Sequence, residues 1–591
     1  MSYTDLPEVQ YTVWPADLHG HRYRVKLHIA NPDPEGQVIT MPAWIPGSYL
    51  IRDFSKNIEA IEAKSAGANG KALHLERIDN DQWRLPKNCS AVDIMTTVYA
   101  FDSSVRAAYL DTERAFFNAS SLCLAVKGRE HLPCSIAILA PETAYADQWS
   151  VQTSMAAAKT DSRGFGFYLA QNYDDLLDHP VAMGEFQIVE WRTHGTPHRM
   201  AIQGCVNPID AERLADDLKA ICSSTIDLFE PKSHRAPFQN YLFLVNAVLN
   251  GYGGLEHRNS TALLCRRDQI PQDKVLYEEN AYREFLGLCS HEYFHAWLVK
   301  RIQPKAFQPY QLDRRNHTRL LWLFEGFTSY YDELQLFRSK RIDLKTYLKL
   351  VSDNWNGILR CPGRQKQSLA DSSFDAWTKY YQADENTPNA VVSYYGKGAL
   401  MALGLDLQIR AFSKNRHSLD DLMRLLWKKH GITMDGIAED GMDDLLCELL
   451  GDGFTKTWKE MKSKYVYGTE DIPIQKWISS RLISVKPKSE SKLEKLKLQF
   501  GMRYCDSNGW LKVTHVLDGG VAQAIGLASG DLLASINGQR ITSSRWDKVL
   551  GGVAEGQSIH VCFYRDDFMH ERLAEVKAAT PAQYELSTTK H

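Results

Sequence analysis

Ser290-His291-Glu292-Tyr293-Phe294-His295 is the stretch whose reading decides the fold. Four residues carry an α-helix just past one turn, so His291 and His295 stand on one face, one above the other. Two imidazoles at that spacing can each offer a ring nitrogen to a single Zn2+ ion. Glu292 lies about 100° round the helix, at 3.6 residues per turn, and is expected to act on metal-bound water rather than on the metal itself. The flanks fit a helix: Asn280 as N-cap, Glu284 in the first turn, Lys300 and Arg301 in the last, and Pro304 beyond. Phe285, Leu288, Trp297 and Leu298 give it an apolar packing face.

A catalytic zinc normally takes three protein ligands and keeps a fourth position open. Downstream, Leu321-Trp322-Leu323-Phe324-Glu325-Gly326-Phe327-Thr328-Ser329-Tyr330-Tyr331 is a second helix-compatible run with one acid among aromatics. A carboxylate in such a run is costly to bury unless a cation meets it. Glu325 is therefore expected as the third ligand, one zinc per chain. Gly326 is expected to let this second helix approach the first closely, at some cost in helix propensity. The competing reading makes Glu325 an exposed acid on an amphipathic helix. H-E-Y-F-H followed, after a gap, by W-L-F-E-G-F-T-S-Y-Y resembles the gluzincin zinc metallopeptidases. The long gap resembles the glycyl aminopeptidase family, peptidase family M61, more than the aminopeptidase N family.

Outward from this pair, 591 residues exceed what one core organises, so two to four domains are expected. An apolar content of 44% and a charged content of 24% suit a soluble globular chain, and a net charge of −3 supplies no basic field for nucleic acid or an anionic membrane. No apolar run approaches the length of a transmembrane helix. The first residues lack a basic segment followed by an apolar one, so no signal peptide is expected. Eleven scattered cysteines without a C-x-x-C pair read as reduced thiols, and a cytoplasmic location is the expectation.

Residues 1–190 alternate as strands, among them Tyr11-Thr12-Val13-Trp14, Tyr23–Ile29 and Ile94–Tyr99, and are expected to form an antiparallel β domain. Trp44-Ile45-Pro46-Gly47-Ser48-Tyr49 and the run Tyr99–Tyr109 resemble the N-terminal domain of the same family but carry no catalytic signature. They read as packing and turn residues, with the rim of a cleft as an alternative; Arg52, Asp53, Asp102 and Arg106 are candidate site residues, with buried structural pairing the favoured expectation. Residues 191–474 are expected to form the gluzincin, thermolysin-like α+β catalytic domain. In it, strand-like Tyr241–Val245 leads into Gly251-Tyr252-Gly253-Gly254-Leu255-Glu256-His257. Glycines beside a strand let a substrate backbone approach, and an edge strand can pair with an extended peptide. G-G-L-E-H is similar to the G-x-M-E-N element of related aminopeptidases. That similarity implies that Glu256 holds the substrate's free α-amine beside Gly253 and Gly254, although His257 stands where Asn is usual.

Cys361–Pro388 is polar and turn-rich, and is expected to be an irregular loop over the cleft. Ser393-Tyr394-Tyr395-Gly396-Lys397-Gly398 then opens another helix; Y-x-K-G resembles the gluzincin element that supplies a catalytic tyrosine, which falls on Tyr395, with Tyr394 the neighbouring candidate. Residues 475–591 begin with a Lys-rich link at Lys486-Pro487-Lys488, expected to be solvated. Phe500-Gly501, Ile525-Gly526-Leu527-Ala528-Ser529-Gly530-Asp531 and Ile536-Asn537-Gly538 look like a PDZ domain with a C-terminal tail, a fold that can take a peptide C-terminus. The resemblance implies a zinc aminopeptidase with Glu292 and Tyr395 catalytic, acting on peptides with a free N-terminus and a small first residue, glycine or alanine. Two other readings stand beside it: a PDZ-assisted endopeptidase of the same fold, and a binding protein with a non-catalytic zinc.

Overall fold

The computed structural model describes residues 7–272, 279–478, 483–577 and 580–589. The chain forms two compact units that interleave along the sequence: Met1–Asn316, Tyr331–Arg341 and Met423–Ala438 make the first, and His317–Tyr330, Ile342–Leu422 and Glu439–His591 the second. Among the described residues no helix is long and apolar enough to cross a membrane.

The first unit begins β-rich. Val9, Tyr11 and Val13 face the core from strand Val9–Asp17 while the residues between them are more exposed, as a period of two requires. That strand pairs antiparallel with Arg22–Ile29, Val9 opposite Ile29 and Val13 opposite Val25. Both belong to an eight-stranded sheet that also contains Val92–Tyr99, Ile58–Ser65 and Cys134–Ile138. The sheet is not wholly antiparallel: Val9–Asp17 and Cys134–Ile138 run parallel. Parallel neighbours need a long crossover, and the chain between them uses that length to add strands to this sheet and to smaller ones.

A five-stranded sheet follows, in the order Gln187–Thr193, Thr196–Gln203, Tyr241–Val248, Ser260–Arg266, Gly253–Glu256. Gly253–Glu256 is an edge strand, antiparallel to its one neighbour. Leu242, Leu244, Leu255 and Ala262 on one face of this sheet share a buried cluster with Ile45, Val105 and Phe116 of the β-rich region. That cluster brings the segments around Gly47 and Arg106 to the edge strand.

Helix Glu279–Phe294 packs on the sheet through aromatic rings: Tyr293 stacks on Phe243 at 6.0 Å, and its hydroxyl lies 2.9 Å from His198 Nε2. The helix is shorter at its end and earlier at its start than its flanks suggest. Asn280 is its second residue rather than its cap, and the chain leaves helical geometry after Phe294. Trp297 and Leu298 are still buried, but beyond the helix, where Phe229 stacks on Trp297 at 5.2 Å. The turn is closed by Lys300 N–H donating to the His295 carbonyl and by Val299 at φ 97°, a strained value for a β-branched residue.

Helix Leu321–Arg338 passes from the second unit into the first. In the second unit, Cys361–Pro388 is not an irregular loop. It is a chain of short helical turns, including Leu369–Phe374 capped by the Ser368 hydroxyl. Further on, Met502–Ser507, Trp510–Val516, Leu532–Ile536, Ser558–Arg565 and Phe568–Glu575 lie side by side in one sheet over its own core, with Met502–Ser507 at an edge. The link and the tail are structured: Ile483–Pro487 and Tyr584–Thr588 pair antiparallel. This ribbon docks on helix Leu344–Leu359, where Asn356 exchanges two hydrogen bonds of 2.8 Å with the backbone of Tyr584 and Trp355 stacks on its ring.

Candidate functional site

His291 and His295 keep their helical relation although His295 lies just past the helix, because its N–H still donates to the His291 carbonyl at 3.2 Å. The two rings are nearly perpendicular. His291 Nδ1 lies 3.0 Å from Asp332 Oδ2, and His295 Nδ1 lies 2.9 Å from the Leu298 carbonyl. The Leu298 carbonyl only accepts, so His295 Nδ1 carries the hydrogen and its Nε2 presents a lone pair, and Asp332 in its ionised form sets the same tautomer at His291. The two Nε2 atoms face each other at 3.1 Å. Two nitrogens bound to one tetrahedral zinc at about 2.0–2.1 Å lie about 3.3 Å apart, so the histidine pair fits such an ion. Asp332 is a residue the motif reading missed. It lies seven residues after Glu325 on the same helix, two turns on, and that spacing was the signal that could have found it.

The edge strand gathers the remaining groups of this unit. Glu292 is 5% exposed and lies directly over Gly254, where a Cβ would stand 2.1 Å from its Oε1. A side chain at Gly254 would therefore displace Glu292. Glu256 shares that face of the strand, two residues on, and is 4% exposed. Ligand-type atoms of Glu256, Glu292 and His295 all lie within 4.8 Å of one another. Gly47, at φ 94°, passes beneath Glu256, and a Cβ there would stand 2.6 Å from Oε1. The W-I-P-G-S-Y segment therefore shapes the Glu256 site.

Arg106 is half-buried and donates from Nη2 to the Gly254 carbonyl at 3.0 Å. Arg52 donates to the Ser48 hydroxyl, while Asp53 and Asp102 are exposed. Among the described residues Asp53, Asp102 and Arg106 do not form the buried pairs expected of them. The buried pairing lies elsewhere. Lys300 is not a helix-end charge in water; its Nζ meets Asp178 Oδ1 at 2.7 Å, both side chains 5% exposed. Asp178 also meets His257 Nδ1 at 3.2 Å and accepts from the Arg258 backbone N–H. Burial alone would raise the Asp178 carboxyl, but Lys300 and Arg258 hold it well below the usual carboxylate range. His257, where Asn was the expected residue, thereby fixes the chain just after Glu256, and burial lowers its own pKa.

Glu325 and Tyr395 come together in the second unit. Glu325 is 2% exposed. Gly326 is packed closely against backbone within its own unit. It meets Gly398 at the start of helix Gly396–Ser413, where a Cβ would stand 2.5 Å from the Gly398 Cα. This backbone contact sets Tyr395, the residue before that helix, beside Glu325. Burial pushes the Tyr395 phenol well above its ordinary pKa, and the Glu325 carboxylate pushes it the same way. It stays protonated and can donate. Its hydroxyl lies 3.2 Å from that of Tyr381, while Tyr394 stacks on its ring and is itself wholly buried.

Residues 10–185 match the N-terminal domain model of peptidase M61, and residues 284–401 match the M61 glycyl aminopeptidase model. The second stretch contains His291 through Tyr395; Glu256 lies between the two. A crystal structure of an aminopeptidase N family protein from Idiomarina loihiensis is 38% identical, covers 98% of each chain and superposes with a TM-score of 0.92. An M1 zinc metallopeptidase mutant from Deinococcus radiodurans, bound to a Tyr-Ser-Ala substrate, is 11% identical over 79% of this chain and 96% of its own, with a TM-score of 0.47. No curated protein is similar enough to this chain to match it.

Proposed function

The chain belongs to the M61 glycyl aminopeptidase family and is a metallopeptidase, and from that premise we propose that it is a zinc-dependent aminopeptidase removing one small N-terminal residue, glycine or alanine, from peptides. The domains are read as an N-terminal β domain (1–190), a thermolysin-like catalytic domain (191–474) and a PDZ domain (475–591). In the last, the edge strand Met502–Ser507 is where a peptide C-terminus would add as a further strand.

His291, His295 and Glu325 are the residues that would hold the zinc. When bound, the ion supplies Lewis acidity that lowers the pKa of water and polarises a carbonyl. Asp332 and the Leu298 carbonyl hold the two imidazoles in the tautomer a ligand needs. Glu292 takes the proton from the attacking water and returns it to the leaving amine. Tyr395, kept protonated, donates a hydrogen bond to the oxyanion of the tetrahedral intermediate. Glu256 accepts from the substrate's α-ammonium and sets the distance from the chain's N-terminus to the reacting carbonyl.

The observation that carries this reading is the approach of Glu256 to Glu292 and His295 at one edge strand. Two carboxylates so near each other in a water-poor site favour a cation beside them, and an α-ammonium suits that place. A charge-assisted hydrogen bond of this kind contributes about 1.5–3 kcal/mol, roughly 10- to 150-fold in kcat/KM. Glu256→Gln is expected to lose that factor on free-amine substrates, and the wild type is expected to cleave N-acetylated peptides poorly. Equal cleavage of acetylated and free peptides by the wild type would replace this reading with an endopeptidase.

A further inference from the structure

One charged side chain at the substrate edge has no part in the chemistry above. We propose that the Arg106 guanidinium receives the C-terminal carboxylate of short peptides, making the enzyme selective for di- and tripeptides with a free C-terminus; the proposal rests on the aminopeptidase reading.

Arg106 reaches the edge strand from the loop after strand Val92–Tyr99, its neighbour Val105 being buried against the five-stranded sheet. Nη2 donates to the Gly254 carbonyl, and a Cβ built on Gly253 would lie 3.6 Å from both Nη1 and Nη2. Gly253, at φ 150°, leaves that space open. Among the described residues no carboxylate forms an ion pair with Arg106, and its Nε and Nη1 make no hydrogen bond. A planar guanidinium with donors to spare, half-buried beside two glycines, suits a carboxylate better than a lysine would.

Direction decides which end of a peptide arrives there. With the ammonium at Glu256 and the base Glu292 over Gly254, the chain beyond the scissile bond must run on toward Gly253. From Glu256 to Gly253 is three residues, roughly 10 Å at about 3.3 Å each. An extended di- or tripeptide spans about 7–10 Å on the same scale, so its terminal carboxylate falls beside Arg106.

The test compares trialanine, trialanine amide and alanyl anilide on the zinc-loaded wild type, Arg106→Gln and Arg106→Lys. The wild type is expected to prefer the acid to the amide by about tenfold or more, chiefly through KM. That ratio should fall to near one in Arg106→Gln and recover in part in Arg106→Lys. A purely supporting role for the Gly254 carbonyl would lower acid and amide together and leave the ratio unchanged, which overturns the proposal. So does a wild type that cleaves both equally while still hydrolysing the anilide. Failure on all three substrates would instead overturn the aminopeptidase reading beneath it.

Discussion

Two imidazole nitrogens facing each other at 3.1 Å, each with its other nitrogen committed to an acceptor, make the histidine pair ready for a metal before one binds. Of the two acceptors, Asp332 is the one a mutation can remove. Loss of such an orienting carboxylate typically costs 10- to 100-fold in metal affinity. Asp332→Ala is therefore expected to weaken zinc binding by about that factor in a chelator competition, with the fold intact; unchanged affinity would show that the His291 ring is held by other means. The motif residues were legible because their chemistry depends on spacing along one helix. Asp332 was legible in principle by the same two-turn period. Gly47 and Arg106 were not, because their partners Glu256 and Gly254 lie about 150 to 210 residues away in sequence, and only the packing of Ile45 and Val105 on Leu255 brings them together.

Elements set what single residues cannot. Helix Leu321–Arg338 meets helix Gly396–Ser413 through Gly326 and Gly398, close enough for backbone to touch backbone. A Cβ at Gly398 would stand 2.7 Å from the Trp322 carbonyl and 2.8 Å from the Gly326 Cα, and neither backbone can yield as a flexible side chain would. Overpacking of that kind costs about 1–3 kcal/mol. Gly398→Ala is expected to lower the denaturant midpoint accordingly and to lower kcat as well, because Tyr395 shifts with the helix it precedes. A variant of wild-type stability and turnover would mean the two helices separate without moving the phenol. The sequence pointed to a close backbone approach at Gly326, but not to Gly398 as a partner, since a helical period names a face and not what covers it. Cys361–Pro388 was misread for a related reason: its turns are too short for a hydrophobic period, and their caps are local polar contacts such as Ser368 with the Asp371 N–H.

Across the molecule, the β-rich region does more than sit in front of a peptidase. Asp178 of that region binds Lys300, just past helix Glu279–Phe294, and His257, just past Glu256, in one buried group within the first unit. Removing one charge of a buried pair typically costs 3–5 kcal/mol, so Asp178→Asn is expected to destabilise the protein by about that much in denaturant. The carboxyl is held below its ordinary pKa of 3.8, so its contribution is present above about pH 4 and is lost as pH falls through the lowered value. The variant should therefore lose less stability than the wild type on acidification below pH 4; parallel acid profiles would contradict this role. The order of β-rich, helical and C-terminal regions was legible from patterning. Their interleaving into two units was not, because it depends on which helices pack together rather than on their order. The central claim concerns one carboxylate, and the most direct measurement is turnover and zinc content of Glu292→Gln on an alanyl anilide. Zinc should remain at one per chain while kcat falls about 10²-fold or more, the range for loss of a general base. Turnover near that of the wild type, or zinc lost together with activity, would contradict it.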